Sequence, residues 1–309
     1  MSKYSQTKLI RRAITNEIRV LERLNLETAN ETYVEKLISK LLGYGRIQRI
    51  LNVRSPQAFR VRINQKENLF ENVKDLWWPP PECVRRGRCN DEGKPVFYYS
   101  DSEETAIIEK QPNKGDILTV LTSELIKPTN MPNAVSVGVH EYTGKSNPNY
   151  GGTPPARDQK LQELLRREGL SKITPLLEDY LVTEFLKDVS VDDESGYKTT
   201  SIIARLLIEK PETVTEEGVS VPDVTLDGIA YPSIRCDLLG VNVALKTDSA
   251  DTLYRPVSCV AYRVEEANPK YPYTVGKLCW SNSIRDDGKI EWEIPQAATR
   301  RVNIEGPQR

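Results

Sequence analysis

The side chains able to do chemistry in this 309-residue chain are few in kind. There is one histidine, His140, in the run SVGVHEYTGKSN. A zinc site built on paired histidines is therefore excluded, and the five cysteines show no CxxC spacing to replace it. A Ser-His-Asp triad would hang on His140 alone, with no G-x-S-x-G elbow to present its serine, so His140 reads as an ordinary loop or strand residue. Neither GxxxxGKS/T nor GxGxxG occurs, which removes the common phosphate-cradling loops. Chemistry must run on carboxylates, arginines, tyrosines and hydroxyls, with no metal expected.

Four segments carry such residues in a suggestive order. They are FRVR (Phe59 to Arg62), RGRCN (Arg86 to Asn90), PVFYYSDSEETAIIE (Pro95 to Glu109) and DGIAYPSIR (Asp227 to Arg235). Together they resemble the RES domain, a family named for an arginine, a glutamate and a serine. Its members place an arginine after an aromatic residue, then a G-R-aromatic-N turn. A tyrosine-bearing strand leads next into an S-x-E-T-A-x-x-E helix, and a Y-P-S segment closes the set. The resemblance runs from Gln57 to Glu265, about two thirds of the chain. It implies Arg60, Glu109 and Ser233 as catalytic residues and Arg88, Tyr98, Arg62 and Tyr231 as ligand-binding ones. Arg60 is preferred over Arg62 as the named arginine because it directly follows Phe59. Cys89 stands where the family usually has a bulky aromatic.

The resemblance further implies an ADP-ribosyltransferase-like fold and NAD as substrate. The expected activity is cleavage of the nicotinamide–ribose bond, by a glycohydrolase or a phosphorylase, as the toxin of a toxin–antitoxin or defence system. A protein antitoxin or regulator, and a homo-oligomer, are the partners it suggests. Two other readings stand beside it: an ADP-ribosyltransferase with a macromolecular acceptor, and a nucleotide-binding module without turnover. A glycosidase pairing Glu103 or Glu104 with Glu109 ranks last, since neighbours on one helix seldom face each other across a sugar.

For NAD, the chemistry matches the residue types. Nicotinamide departs through an oxocarbenium-like transition state, and a carboxylate near the ribose carbon stabilises the developing positive charge. Glu109 has that role in this reading. The pyrophosphate needs cationic donors, and the planar fork of arginine suits it, as Arg60 and Arg88 could provide. Tyr98 or Tyr99 could wall the nicotinamide ring, and Ser233 could hydrogen-bond the ribose or the carboxamide.

Behind these residues stand the elements that must position them. Ile10, Ala13, Ile14, Ile18 and Leu21 recur at helical spacing, and a second helical stripe from Tyr33 to Leu42 stops at Gly43. The two predict a helical hairpin in residues 1–52, either packed on its own body or docking a partner. AFRVRI, PVFYYS, GIAYPSI, VNVALK and SCVAYRV read as strands. SDSEETAIIEK reads as a helix with Asp101 and Glu104 forming a capping box, and further helices are expected at 157–167, 173–185 and 199–208. Pro79 to Pro81 make an extended segment after Trp77 and Trp78, which either line a groove or anchor the loop. The expected class is α+β, with mixed and antiparallel sheets, flanking helices and the preceding hairpin. Residues 53–309 form the body, its core at 57–265 and its C-terminal strands and tail at 266–309. Charge is nearly balanced, at 43 Lys plus Arg against 44 Asp plus Glu, which argues against a dedicated nucleic-acid binder. No apolar run reaches membrane-spanning length, and a cytoplasmic protein is expected.

Overall fold

Short runs of β-branched and aromatic residues favour strands, alternating where one face is buried and near-continuously apolar where both are, and the chain builds its largest layer from them. The computed structural model describes residues 3–44, 50–53, 55–65, 67–143, 173–190, 193–209, 215–216, 219–220, 225–268, 272–294 and 301–304. The expected loop at 151–155 and helix at 157–167 lie outside them. The strands are β1 (Ile50–Asn52), β2 (Gln57–Ile63), β3 (Val96–Ser100), β4 (Ile117–Leu125), β5 (Asn133–Ser136), β6 (Thr215–Glu216), β7 (Val219–Ser220), β8 (Gly228–Pro232), β9 (Val241–Lys246), β10 (Tyr254–Ala267), β11 (Tyr273–Ser281) and β12 (Arg301–Ile304). Ten of them form one open sheet in the order β1-β5-β8-β9-β3-β2-β4-β10-β11-β12, and β6 pairs with β7 apart from it. Only β5 and β8 run parallel within that sheet. The protein is thus a mixed α+β fold on a mostly antiparallel sheet.

One junction in the sheet is different from the rest. β3 and β9 share five paired positions, from Val96 opposite Lys246 to Ser100 opposite Asn242, and β2 pairs with β4 over seven, from Gln57 to Ile63. Between β2 and β3 only Phe59 and Ser100 pair. Beyond that rung the sheet splits, leaving backbone groups along the gap to find other partners.

Helices cover the sheet unevenly. α1 (Lys3–Glu22) and α2 (Glu31–Leu42) make the N-terminal hairpin, with the Asn30 side chain capping α2. They pack with α5 (Thr174–Phe185) and α6 (Lys198–Glu209). Ile14, Leu21, Val34 and Ile38 share one apolar core with Leu177, Ile203, Ile229, Tyr231 and Ala244. The hairpin and the sheet therefore bury the same surface. Polar ties reinforce this: Arg205 holds Glu35 and Asp91, and Arg86 reaches Glu31. α3 (Glu103–Lys110) lies over the other half of the sheet, with Ile107 and Ile108 packed among Val61, Leu118 and Val120. The short α4 (Val139–Tyr142) carries His140, exposed, and α7 (Thr247–Leu253) follows β9. The indole nitrogens of Trp77 and Trp78 both donate to Asp251 Oδ1, and the Trp77 ring rests on Phe97, so this pair anchors the proline segment.

Candidate functional site

α3 brings Glu109 to the split. Its N-cap is Ser102, whose hydroxyl accepts from Thr105 N at 3.1 Å, with Glu103 and Glu104 in the first turn where the helix dipole favours them. This corrects the expected Asp101–Glu104 capping box: Asp101 instead accepts from Val241 N of β9. The helix ends at Gln111 in the left-handed region (φ 45°), which leaves Glu109 in the last turn. A carboxylate there faces the negative end of the dipole and needs donors of its own.

Two donors meet it. Ser233 Oγ donates to Glu109 Oε1 at 2.5 Å, and Asn242 Nδ2 donates to the same oxygen at 2.7 Å. Oε2 has no hydrogen bond among the described residues. Ser233 sits just after β8, in a turn closed by Leu238 N donating to Ser233 O and by Ser233 N donating to Gly240 O. Its hydroxyl also accepts from Cys236 N. Asp237 and Leu238 both take positive φ in this turn, at 49° and 67°. For a leucine that conformation is strained and persists only where neighbours enforce it; here Thr143 donates to Leu238 O. A side chain at Gly240 would sit 2.3 Å from Thr105 Oγ1, so only glycine lets the turn approach α3 closely enough to set the Ser233–Glu109 contact.

Cations gather on the other wall. Arg60 donates to Tyr98 O at 2.7 Å, satisfying a β3 carbonyl that the split leaves without a strand partner, and its guanidinium lies 5.6 Å from the Phe97 ring centre. Its Nε is shut off from solvent and has no partner among the described residues. Burial, with the charge of Arg62 beside it, pushes Arg60 down to about 9. Arg62, two positions along the same strand face, is lowered as well, chiefly by desolvation. Lys110 is pressed down to about 8, first by desolvation and then by the guanidiniums of Arg60 and Arg62. Among the described residues none of these three takes part in an ion pair. A cleft of about 550 Å³ opens beside the end of β2, lined by Arg62, Glu109 and Lys110, with Leu69 and Phe70 supplying apolar surface.

Arg88 and Tyr98 lie nearby in different roles. Arg88 donates to Phe185 O at 2.5 Å and Lys187 O at 3.0 Å, so its charge caps the C-terminal end of α5. It also stacks over Tyr197 and Tyr231. The Tyr98 hydroxyl accepts from Cys89 N and donates to Asn90 Oδ1, closing the RGRCN turn. Tyr99, on the opposite face, is buried with its hydroxyl 3.2 Å from that of Tyr254. Tyr231 is buried edge-on to Phe185, and desolvation raises its phenol well above the ordinary range, as it does that of Tyr98. Cys89 is buried too, its thiol pushed up to about 12 and so kept unreactive.

The structure thus gathers Arg60, Arg62, Glu109 and Ser233 around the split, and sets Arg88, Tyr98 and Tyr231 behind it as supports. Asn242 and Lys110 belong to the site but were not anticipated. Asn242 had a signal, a polar residue buried in the otherwise apolar run VNVALK; Lys110 had only its place beside Glu109. No family model matches the chain, and no curated protein matches it.

Proposed function

We propose that the chain is an NAD-degrading enzyme of the RES type, on an ADP-ribosyltransferase-like fold, cleaving the nicotinamide–ribose bond within the split between β2 and β3. The observation that carries this reading is the facing of two unlike walls. On one, Glu109 has one oxygen held by Ser233 and Asn242 and the other without a hydrogen bond among the described residues. On the other, Arg60 and Arg62 crowd together with Lys110 at the end of α3, and among the described residues none of the three is in an ion pair. A group of like charges, partly desolvated, is stabilised by an anionic ligand, and a dinucleotide pyrophosphate meets that need.

In this reading the pyrophosphate lies against the cations and the nicotinamide riboside extends toward Glu109. The C1′–N bond breaks with its electron pair leaving on nicotinamide, which departs neutral and needs no general acid. That suits a chain whose only histidine, His140, is exposed on α4. Glu109 stabilises the positive charge left on the ribose. Water or phosphate then forms the new bond to C1′, and attack by water releases one proton. Consumption of NAD would arrest growth unless a partner restrains the enzyme, as the family resemblance implies.

Incubating the purified protein with NAD and quantifying nicotinamide, with and without phosphate, tests the reading. Release is expected in both conditions or in phosphate alone. NAD binding with no release in any condition would leave a nucleotide-binding module instead.

A further inference from the structure

We infer that Ser100 is a positioning residue of this site: its hydroxyl takes up the Asn242 amide oxygen that Glu109 leaves over and so holds the amide against the carboxylate. The inference rests on the proposed role of Glu109. Ser100 and Asn242 are direct partners across β3 and β9, and both are buried, at 4% and 7% exposure. Ser100 Oγ donates to Asn242 Oδ1 at 2.7 Å, and Asn242 Nδ2 in turn donates to Glu109 Oε1 at 2.7 Å.

A three-residue relay follows from what each group can offer. An ionised carboxylate only accepts, so it requires the NH2 end of the amide, and the amide oxygen is then left to a donor. The Ser100 hydroxyl is that donor, in a buried place where an unmet oxygen is costly. A reversed amide would put two acceptors against each other at hydrogen-bond distance. The relay also saturates Oε1, together with Ser233, and so leaves Oε2 as the oxygen with lone pairs to present toward the split. Ser100 is moreover the β3 half of the one rung joining β2 to β3. The residue that ends the pairing therefore also orients the carboxylate beside the gap.

The test has two arms. In the first, the side-chain amide of Asn242 is followed by 1H–15N NMR, with Glu109→Gln identifying the shift caused by the carboxylate. Ser100→Ala should move the Asn242 signal away from its wild-type position, and Ser100→Thr should restore it. This arm needs no turnover, so it decides the inference even if the protein releases no nicotinamide and the functional reading falls. In the second arm, Ser100→Ala should slow nicotinamide release on the order of tenfold at unchanged KM for NAD, the rate equivalent of one net hydrogen bond. Should the alanine variant fold poorly in thermal melts, Ser100→Cys keeps the volume while donating weakly and takes its place. An Asn242 signal identical in wild type and the folded variant would overturn the inference.

Discussion

The two walls of the split are built on opposite principles. On one side the contact to Glu109 Oε1 is fixed: that oxygen takes two short hydrogen bonds, and Ser233 both donates and accepts. On the other Arg60 and Arg62 of β2, with Lys110 reaching them from the end of α3, are pressed toward neutrality by burial and by one another. A satisfied wall holds a fixed geometry at no cost when the reaction occurs, which is what transition-state stabilisation needs. An unsatisfied wall holds affinity in reserve for a charged ligand, in its ground state as much as in its transition state. Arg88 sharpens the contrast, because its guanidinium is spent on the carbonyls of Phe185 and Lys187.

The largest expected effect lies on the satisfied wall. Glu109→Gln should lower nicotinamide release on the order of 100-fold to 1000-fold while calorimetric NAD affinity stays close to wild type. A parallel loss of affinity would mean that both walls merely bind.

Next come the two arginines, expected to separate cleanly. Arg60→Ala should weaken NAD binding by about tenfold to 100-fold, the scale of one hydrogen bond to a charged group, and slow turnover no more than it weakens binding. Arg88→Ala should instead cost about 1–3 kcal/mol of folding stability from the helix-end carbonyls it abandons, read as a lower melting temperature. Its effect on NAD affinity should be smaller than that of Arg60→Ala. The reverse pattern would exchange their roles.

The smallest expected effect is in pH. Lys110 titrates near 8 in the free protein, and a bound pyrophosphate favours its charged form, raising that value in the complex. Below pH 8 the amine is already charged, so affinity should be flat. Above it, binding must take up a proton, so affinity should fall as pH rises. Calorimetry in two buffers of different ionisation enthalpy measures that uptake. Lys110→Met should abolish it, and uptake that survives the substitution would move it to another group.

Much of this arrangement is legible in the sequence where the physics is local. The alternation of AFRVRI, PVFYYS and VNVALK marks β2, β3 and β9, and the acidic first turn after a cap marks α3. The cap itself is displaced by one residue, because Asp101 is drawn to Val241 N on another strand. SCVAYRV is only part of β10, which starts at Tyr254 and passes through Pro256. A register shift between Pro256 and Ser258 accommodates the proline, and pairing with β4 and β11 carries the strand through. The split has no local signature at all, since a missing pairing between β2 and β3 is a property of the whole sheet. For the same reason Arg88, placed by its motif among ligand-binding residues, is found on the end of a helix nearly one hundred residues away in the chain.

The most direct measurement is the crystal structure of the Glu109→Gln protein with NAD, since the variant should bind without turning over. The account predicts the pyrophosphate against Arg60 and Arg62, with the nicotinamide ribose beside residue 109 in the gap between β2 and β3. NAD bound elsewhere on the protein, with that gap unchanged at saturating ligand, would contradict it.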